Sequence, residues 1–261
     1  MLFRLSSFAL VMFLVIIIGA AIAIGNAIGR RGRSRSDSDP EHVSVVQGTL
    51  LGLVGLLLAF GLSMAVGRYD ARRSLVVQEA NTIGTTYLRA QLLQEPERSD
   101  SLTLLRSYTE HAVDLSKHVP YSDQFQEDTD AMEETQGDLW RLAGEAIARD
   151  PQGTAPRLYA ETLNETIDTH TERVSSLKNR VPAPVVYLLV FGSAVALGAL
   201  SVHMALLGRG AGTSLLAASV LVLILYVSFD LDRPNRGLIE VPSTPLENVA
   251  ATMNEPPVAG G

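Results

Sequence analysis

The chain has 261 residues, no cysteine and a formal net charge of −7. The missing thiols exclude disulfides, thiolate metal centres and cysteine nucleophiles. The acidic balance argues against nonspecific nucleic-acid binding, which relies on a basic surface.

Hydrophobic residues gather in two blocks, near 1–66 and 183–229. Four apolar runs lie within them, at about 5–28, 43–66, 183–207 and 211–229, and none contains Asp, Glu, Lys or Arg. Each approaches or exceeds the roughly 20 residues that cross hydrocarbon as a helix. The first run has only Arg4 before it and is longer than a signal-peptide core, so it reads as a retained span. "GRGAG" (208–212) alone links spans three and four, which predicts a tight antiparallel hairpin.

Span two does not stop at the lipid. After Val66 come Arg68, Asp70, Arg72, Arg73 and Glu79 with no proline, and Val76, Ala80, Ile83, Tyr87 and Ala90 continue at helical spacing. Pro96 and Pro120 then interrupt. Leu105, Tyr108, Ala112 and Leu115 form the stripe of the next predicted helix, and Leu139, Leu142, Ala143 and Ala146 that of a third. "PQGTAP" (151–156) reads as a turn. A last helix runs from about residue 157 through Leu163, Ile167, His170, Val174 and Leu177 to a break at "VPAP" (181–184). No strand is expected.

The predicted fold is therefore an all-α membrane protein: four transmembrane helices with a helical soluble insert between the second and third. The expected segments are 1–66 (spans one and two), 67–182 (insert continuous with spans two and three), 183–229 (spans three and four) and 230–261, a tail disordered after about 246. The insert should pack as an antiparallel bundle burying Trp140, Leu142, Leu163 and Ile167. The lipid bilayer is the evident partner, and the acidic insert is a surface where a protein partner could dock.

An even number of crossings places both termini and the insert on one side. That side carries Arg4, Arg68, Arg72, Arg73, Arg173, Lys178, Arg180, Arg233 and Arg236 near the membrane; the other carries Arg30, Arg31, Arg33, Arg35 and Arg209. The positive-inside rule makes the richer side cytoplasmic, although "RRGRSR" directly after the first span pulls the other way. The expected location is a bacterial plasma membrane.

Gly48, Gly52, Gly55, Ala59 and Ser63 recur every three or four residues in span two. Such a seam lets helices approach closely. It serves either packing within one subunit or a subunit interface or narrow pore, with Phe60 and the leucines as a constriction that gates by dewetting. The spans carry no charge for a proton relay or voltage sensor; His203, near the end of span three, reads as interfacial. "RYDARR" (68–73) and "DLDRPNRG" (230–237) leave the membrane on one face. Arg68, Arg72 or Arg73 can thus pair with Asp230 or Asp232, or Arg233 and Arg236 with Asp70. Lipid headgroups and anions gathered at a pore mouth are the alternatives. Arg72 and Glu79 are about two turns apart, too far to pair, so each needs a partner on another helix. His111 with Asp114, and Asp168 with His170, lack the spacing of a di-metal site. With no phosphate loop, HExxH or GxSxG, the reading is not an enzyme, with no cofactor and no metal.

Residues 55–93, from "GLLLAFGLSMAVGRYDARR" onward, together with "DLDRPNRGLI" (230–239), resemble a bacterial family described as bestrophin-like, over roughly 43–246. The pattern carries over to Arg68, Asp70, Arg72, Arg73, Glu79, Asn81, Gly84 and Tyr87, and to Asp230, Asp232, Arg233 and Pro234. The resemblance implies a layout like that of bestrophins, which are pentameric anion channels with four spans, cytoplasmic termini and a helical cytoplasmic region. It implies a homo-oligomeric, channel-like protein. The other reading of the same chain is a membrane-anchored helical sensor or interaction module.

Overall fold

The computed structural model describes residues 7–33, 40–235 and 237–255. Arg4, Arg35 and Arg236, counted above for topology, and the last six residues lie outside that set. The chain is all helix in the expected order: α1 (Ser7–Arg33), α2 (Pro40–Ala90), α3 (Glu97–Leu115), α4 (Asp123–Arg149), α5 (Thr154–Lys178), α6 (Ala183–Leu206), α7 (Gly212–Leu231) and α8 (Thr244–Met253). Helices α1, α6, α7 and the first half of α2 are long and apolar enough to span a membrane. The protein is a four-span membrane protein with a helical soluble insert between the second and third spans.

The chain forms two compact units, one of Met1–Arg68 with Arg180–Ile239, the other of Tyr69–Asn179 with Glu240–Gly261. In the membrane unit the core is Leu10, Leu14 and Ile18 of α1, Val54 and Leu58 of α2, Leu189, Ala196 and Leu197 of α6, and Leu225 of α7. The tightest pairing joins α1 to α6. A Cβ added at Gly25 would overlap the Gly198 carbonyl oxygen, and one at Gly29 the Val202 carbonyl. Ser201 Oγ donates to the Ile22 carbonyl at 2.9 Å across the same contact. Glycine is required here because the backbones themselves touch. Gly208 ends α6 with φ +71°, a left-handed turn that glycine adopts without strain.

In the soluble unit, Ile83, Leu105, Tyr108, Leu115, Phe125, Met132, Leu139, Tyr159 and Leu163 are buried together. Ser122 caps α4, its Oγ accepting from the Phe125 amide at 3.1 Å. Prolines 182 and 184 flank the start of α6, separated from α5 by a non-helical 179–182.

Two expectations need correction. Leu142 and Leu163 are buried and Ile167 partly so, but Trp140 is 47% exposed. It stands on the outer face of α4, where Leu139 and Ala143 already occupy the inward stripe. The tail does not lose order after about 246: α8 continues to Met253, with Leu246 and Met253 buried in the soluble core. The tail's apolar residues are few but spaced one helical face apart.

Candidate functional site

The first half of α2 packs through one narrow stripe: Val54, Leu58, Gly61 and Ala65 are buried. At ~100° per residue the small-residue seam lies well off that stripe, roughly a third of a turn round the helix. Gly48, Gly52, Gly55, Ala59 and Ser63 are all exposed. Among the described residues, no atom outside α2's own nearby backbone lies within 4 Å of a Cβ added at any of these three glycines. Among the described residues, the close backbone approach that small residues permit is made by Gly25 and Gly29 of α1 and not by these three glycines. Phe60, 60% exposed, and Leu53 and Leu56 stand on the same uncovered side. The missed signal was the Gly25-x-x-x-Gly29 spacing in span one.

At the membrane exits, Arg68 Nη1 donates to Asp232 Oδ1 at 3.2 Å, and the other carboxylate oxygen of Asp232 accepts from the Val181 amide at 2.9 Å. Asp232 is fully buried. One carboxylate thus ties α2 to the segment entering α6 and to the end of α7. Asp230 Oδ2 accepts from the amides of Leu238 and Ile239 at 2.9 and 3.0 Å, closing the turn after α7. Pro234 and Arg233 are buried in that turn. Asp70 and Arg73 are exposed. Arg72 is buried, with Nη2 donating to the Asn179 carbonyl at 2.8 Å and Nε to that of Ser176 at 3.3 Å. It therefore holds the end of α5.

Glu79 finds its partners on α5, as the spacing required, but sequence did not name them. Arg173 Nη1 donates to Glu79 Oε2, and His170 Nδ1 lies 3.2 Å from Oε1. Arg173 Nη2 also donates to the Ala112 carbonyl at 3.1 Å and to Ser116 Oγ at 2.6 Å. Burial pushes the Glu79 carboxyl up; the Arg173 guanidinium and His170 outweigh it and hold it below the usual carboxylate range. Tyr108 stacks edge-on to His170 at 6.1 Å. Its hydroxyl, which accepts from Gln136, is raised well above the ordinary tyrosine value by burial and then by Glu79. This cluster is a buried ionic core, in which His170 Nε2 and Arg173 Nε find no hydrogen-bond partner among the described residues.

The histidine pairs flagged in sequence regroup. His111 Nδ1 faces Asp128 at 3.1 Å, not Asp114, and His118 Nδ1 takes the second oxygen of Asp128 at 2.6 Å. Asp114 binds Lys117 and Asp168 binds Asn164. Among the described residues no three such side chains converge to hold a metal. Asn81 is exposed; Gly84 lies against Val249 of α8 and the Tyr87 hydroxyl donates to the Met253 carbonyl at 3.1 Å. These family-pattern positions dock the C-terminal helix, a role invisible without knowing that the helix exists.

Comparison with solved structures finds the same fold at very low identity. A single-site variant of a bacterial bestrophin homologue from Klebsiella pneumoniae superposes with a TM-score of 0.68 at 9% identity, covering 92% of this chain and 97% of that one. Another structure of a bacterial bestrophin homologue from that organism gives 0.62 at 11%, covering 92% and 96%. A third, described only as a membrane protein, gives 0.62 at 10%, covering 92% and 97%. No curated protein sequence matches the chain. The bestrophin-like domain profile matches residues 27–246. With that match over most of its length and four spans in its fold, the chain belongs to the bestrophin-like family and is a multi-pass membrane protein.

Proposed function

We propose that the protein is an oligomeric ion channel whose α2 helices surround a central path, with Phe60 and Leu56 as the apolar constriction and anions as the conducted class. One observation carries this reading: the small-residue seam and the apolar side chains of α2 are left uncovered by the chain's own fold. Seam and constriction then have separate uses. The glycines let neighbouring α2 helices approach, and the larger side chains narrow the path between them. The insert and both termini are cytoplasmic in this proposal, following the arginine balance. The test is purified protein in liposomes with a chloride gradient. The wild type should pass current carried by chloride, and Phe60→Ala should raise it several-fold at unchanged subunit number. A monomer in mild detergent, or an absence of flux from both proteins, overturns the proposal.

The second reading, an interaction module, has its own support. Trp140 is exposed beside Gly137 and Gly144, which have open space around them, on a helix whose outer face is acidic. A large aromatic in such a setting suits a protein interface. A non-conducting protein whose partner binding is lost in Trp140→Ser would favour it.

A further inference from the structure

Where α6 turns into α7, the membrane unit gathers cations and hydrogen-bond donors without an acceptor. Helix α7 opens at Gly212 with no side-chain cap and no acidic residue in its first turn. The amides of Gly212, Thr213 and Ser214 therefore have no intrahelical acceptor, and the helix dipole makes that end positive. Arg209 stands exposed just before it. The guanidinium of Arg33, from the last turn of α1, lies over the same turn, because a Cβ at Gly208 would overlap it. Among the described residues neither arginine has a carboxylate partner. Ser214 is completely buried in the first turn of α7, and its Oγ has no hydrogen-bond partner among the described residues. A helical Cα–Cβ bond tilts toward the helix N-terminus, so this hydroxyl is aimed at the open end. A Cβ at Gly210 or Gly212 would meet nothing within 4 Å, which leaves the approach clear.

The arginines at the end of α1 suit the negative end of their own helix. Arg209 has the opposite setting, since a cation beside a helix N-terminus is unfavourable, and Arg33 brings a second cation to it. What the arrangement lacks is an anion. Depth selects the kind. Helix α1 has 27 residues, so at ~1.5 Å per residue it is about 40 Å long, against ~30 Å of hydrocarbon. Its last turn therefore lies among the headgroups, where phosphate is the anion at hand. Guanidinium forks and helix-opening amides are the groups that bind phosphate oxygens.

We propose that the α6–α7 turn is a phosphate-binding site, held by the Arg33 and Arg209 guanidiniums and the first amides of α7, with the Ser214 hydroxyl as the innermost donor. A lipid headgroup and free inorganic phosphate present the same chemistry to it. The site is independent of whether the protein conducts ions. Arg33 and Arg209 both stand against the cytoplasmic side in the arginine balance; binding phosphate gives them a use that does not depend on topology.

The test is native mass spectrometry of the full-length protein in mild detergent, titrated with phosphatidylglycerol, with diacylglycerol of the same chains, and with inorganic phosphate. The wild type should retain phosphatidylglycerol and not diacylglycerol. Arg33→Gln and Arg209→Gln alter exposed side chains, so both should fold, and each should weaken retention roughly five-fold. Arg73→Gln, an exposed arginine outside this turn, should leave it unchanged; an equal loss there would mean general charge attraction and overturn the site. Ser214→Ala removes an unsatisfied buried hydroxyl, so without ligand its thermal midpoint should hold or rise while retention falls. A merely structural serine would not give that split, and undiminished retention in Ser214→Ala counts against the site. Displacement of the lipid by inorganic phosphate identifies the headgroup as the source; phosphate bound with no lipid retained assigns the site to the free ion. Asp37 and Asp39, in the α1–α2 link and outside the described residues, are the carboxylates that could compete. A wild type that binds neither probe, beside an Asp37→Asn/Asp39→Asn variant that binds phosphatidylglycerol well, would give the site to those carboxylates and refute the proposal, as would wild-type retention in Arg33→Gln with Arg209→Gln.

Discussion

Replacing Glu79 by alanine removes the carboxylate that pairs with Arg173 in the soluble core. Glu79 and Arg173 are both almost completely buried, so the arginine would be left with its charge uncompensated. Deleting one partner of such a pair costs ~3–5 kcal/mol, because the survivor has lost both water and counter-charge. Arg173 keeps its bonds to the Ala112 carbonyl and Ser116 Oγ, which places the expectation near the lower end. Glu79→Gln retains volume and an acceptor and should cost ~2 kcal/mol. Trp140 is the chain's only tryptophan and lies in the soluble unit, so its fluorescence during a thermal melt reports on that unit alone. Glu79→Ala should lower the transition by on the order of 10 °C. The double variant Glu79→Leu with Arg173→Met should recover most of the loss, since an apolar pair of similar volume avoids burying charge. The pH dependence has a definite sign. The folded-state pKa of Glu79 lies below the ordinary glutamate value, so its stabilisation is fully present above that ordinary value. It is lost as pH falls through the lower folded pKa. The gap between wild type and Glu79→Gln should therefore shrink in acid. A Glu79→Ala protein melting with the wild type, or a gap that widens in acid, refutes the assignment.

Asp232→Ala removes acceptors from both Arg68 and the Val181 amide and should cost ~1–3 kcal/mol. Arg68→Ala should cost less because the arginine is partly exposed, and a double-mutant cycle read by thermal size-exclusion should show coupling between the two. Gly25→Leu should abolish monodisperse protein, because the side chain meets the Gly198 carbonyl rather than a yielding side chain. Trp140→Ser should cost under ~1 kcal/mol by circular dichroism, in contrast to core positions such as Tyr108.

Sequence reading located elements well and partners poorly, for one physical reason. Helices announce themselves through periodicity along the chain, so the stripes of α2 to α5 and the breaks at Pro96 and Pro120 were legible. A partner across the bundle leaves no trace in local spacing. That Arg68, Arg72 or Arg73 could meet Asp230 or Asp232 followed from their placement at membrane exits; that Arg68 meets Asp232 did not. That Glu79 would meet His170 and Arg173, about ninety residues away, did not follow from anything local. Small-residue spacing was ambiguous in the same way: it marks a face able to approach another helix and is silent on which one. The seam of α2 and the Gly25–Gly29 pair of α1 look alike in sequence, but among the described residues the second closes on the α6 backbone and the glycines of the first have open space.

The continuation of α2 beyond the lipid has an explanation in the same terms. Its buried positions are Val54, Leu58, Gly61 and Ala65, then Arg72, Val76, Glu79, Ala80, Ile83, Thr86, Tyr87 and Ala90. From Val54 to Ala90 that is one stripe at the helical period, with no phase slip where the charges begin. A helix ends when its packing face ends or its hydrogen-bond ladder is broken, and neither happens near Arg68. What changes there is the uncovered side, which is mainly apolar or small from Gly48 to Val66 and from Asp70 onward carries Asp70, Arg73, Ser74, Gln78, Asn81 and Thr85 beside exposed Val77 and Leu88, as a move from hydrocarbon towards water allows. Arg72 and Glu79 fall on the buried stripe, where an apolar residue would have sufficed for packing. Each is satisfied by α5: Arg72 through the carbonyls of Ser176 and Asn179, Glu79 through His170 and Arg173. Apolar side chains on a helix tolerate sliding by a turn, whereas a buried carboxylate and guanidinium do not, because every alternative register leaves one unpaired. The two ionic positions thus fix the register of α2 on α5, while the face turned away from the stripe stays free for whatever the bilayer half of the helix meets.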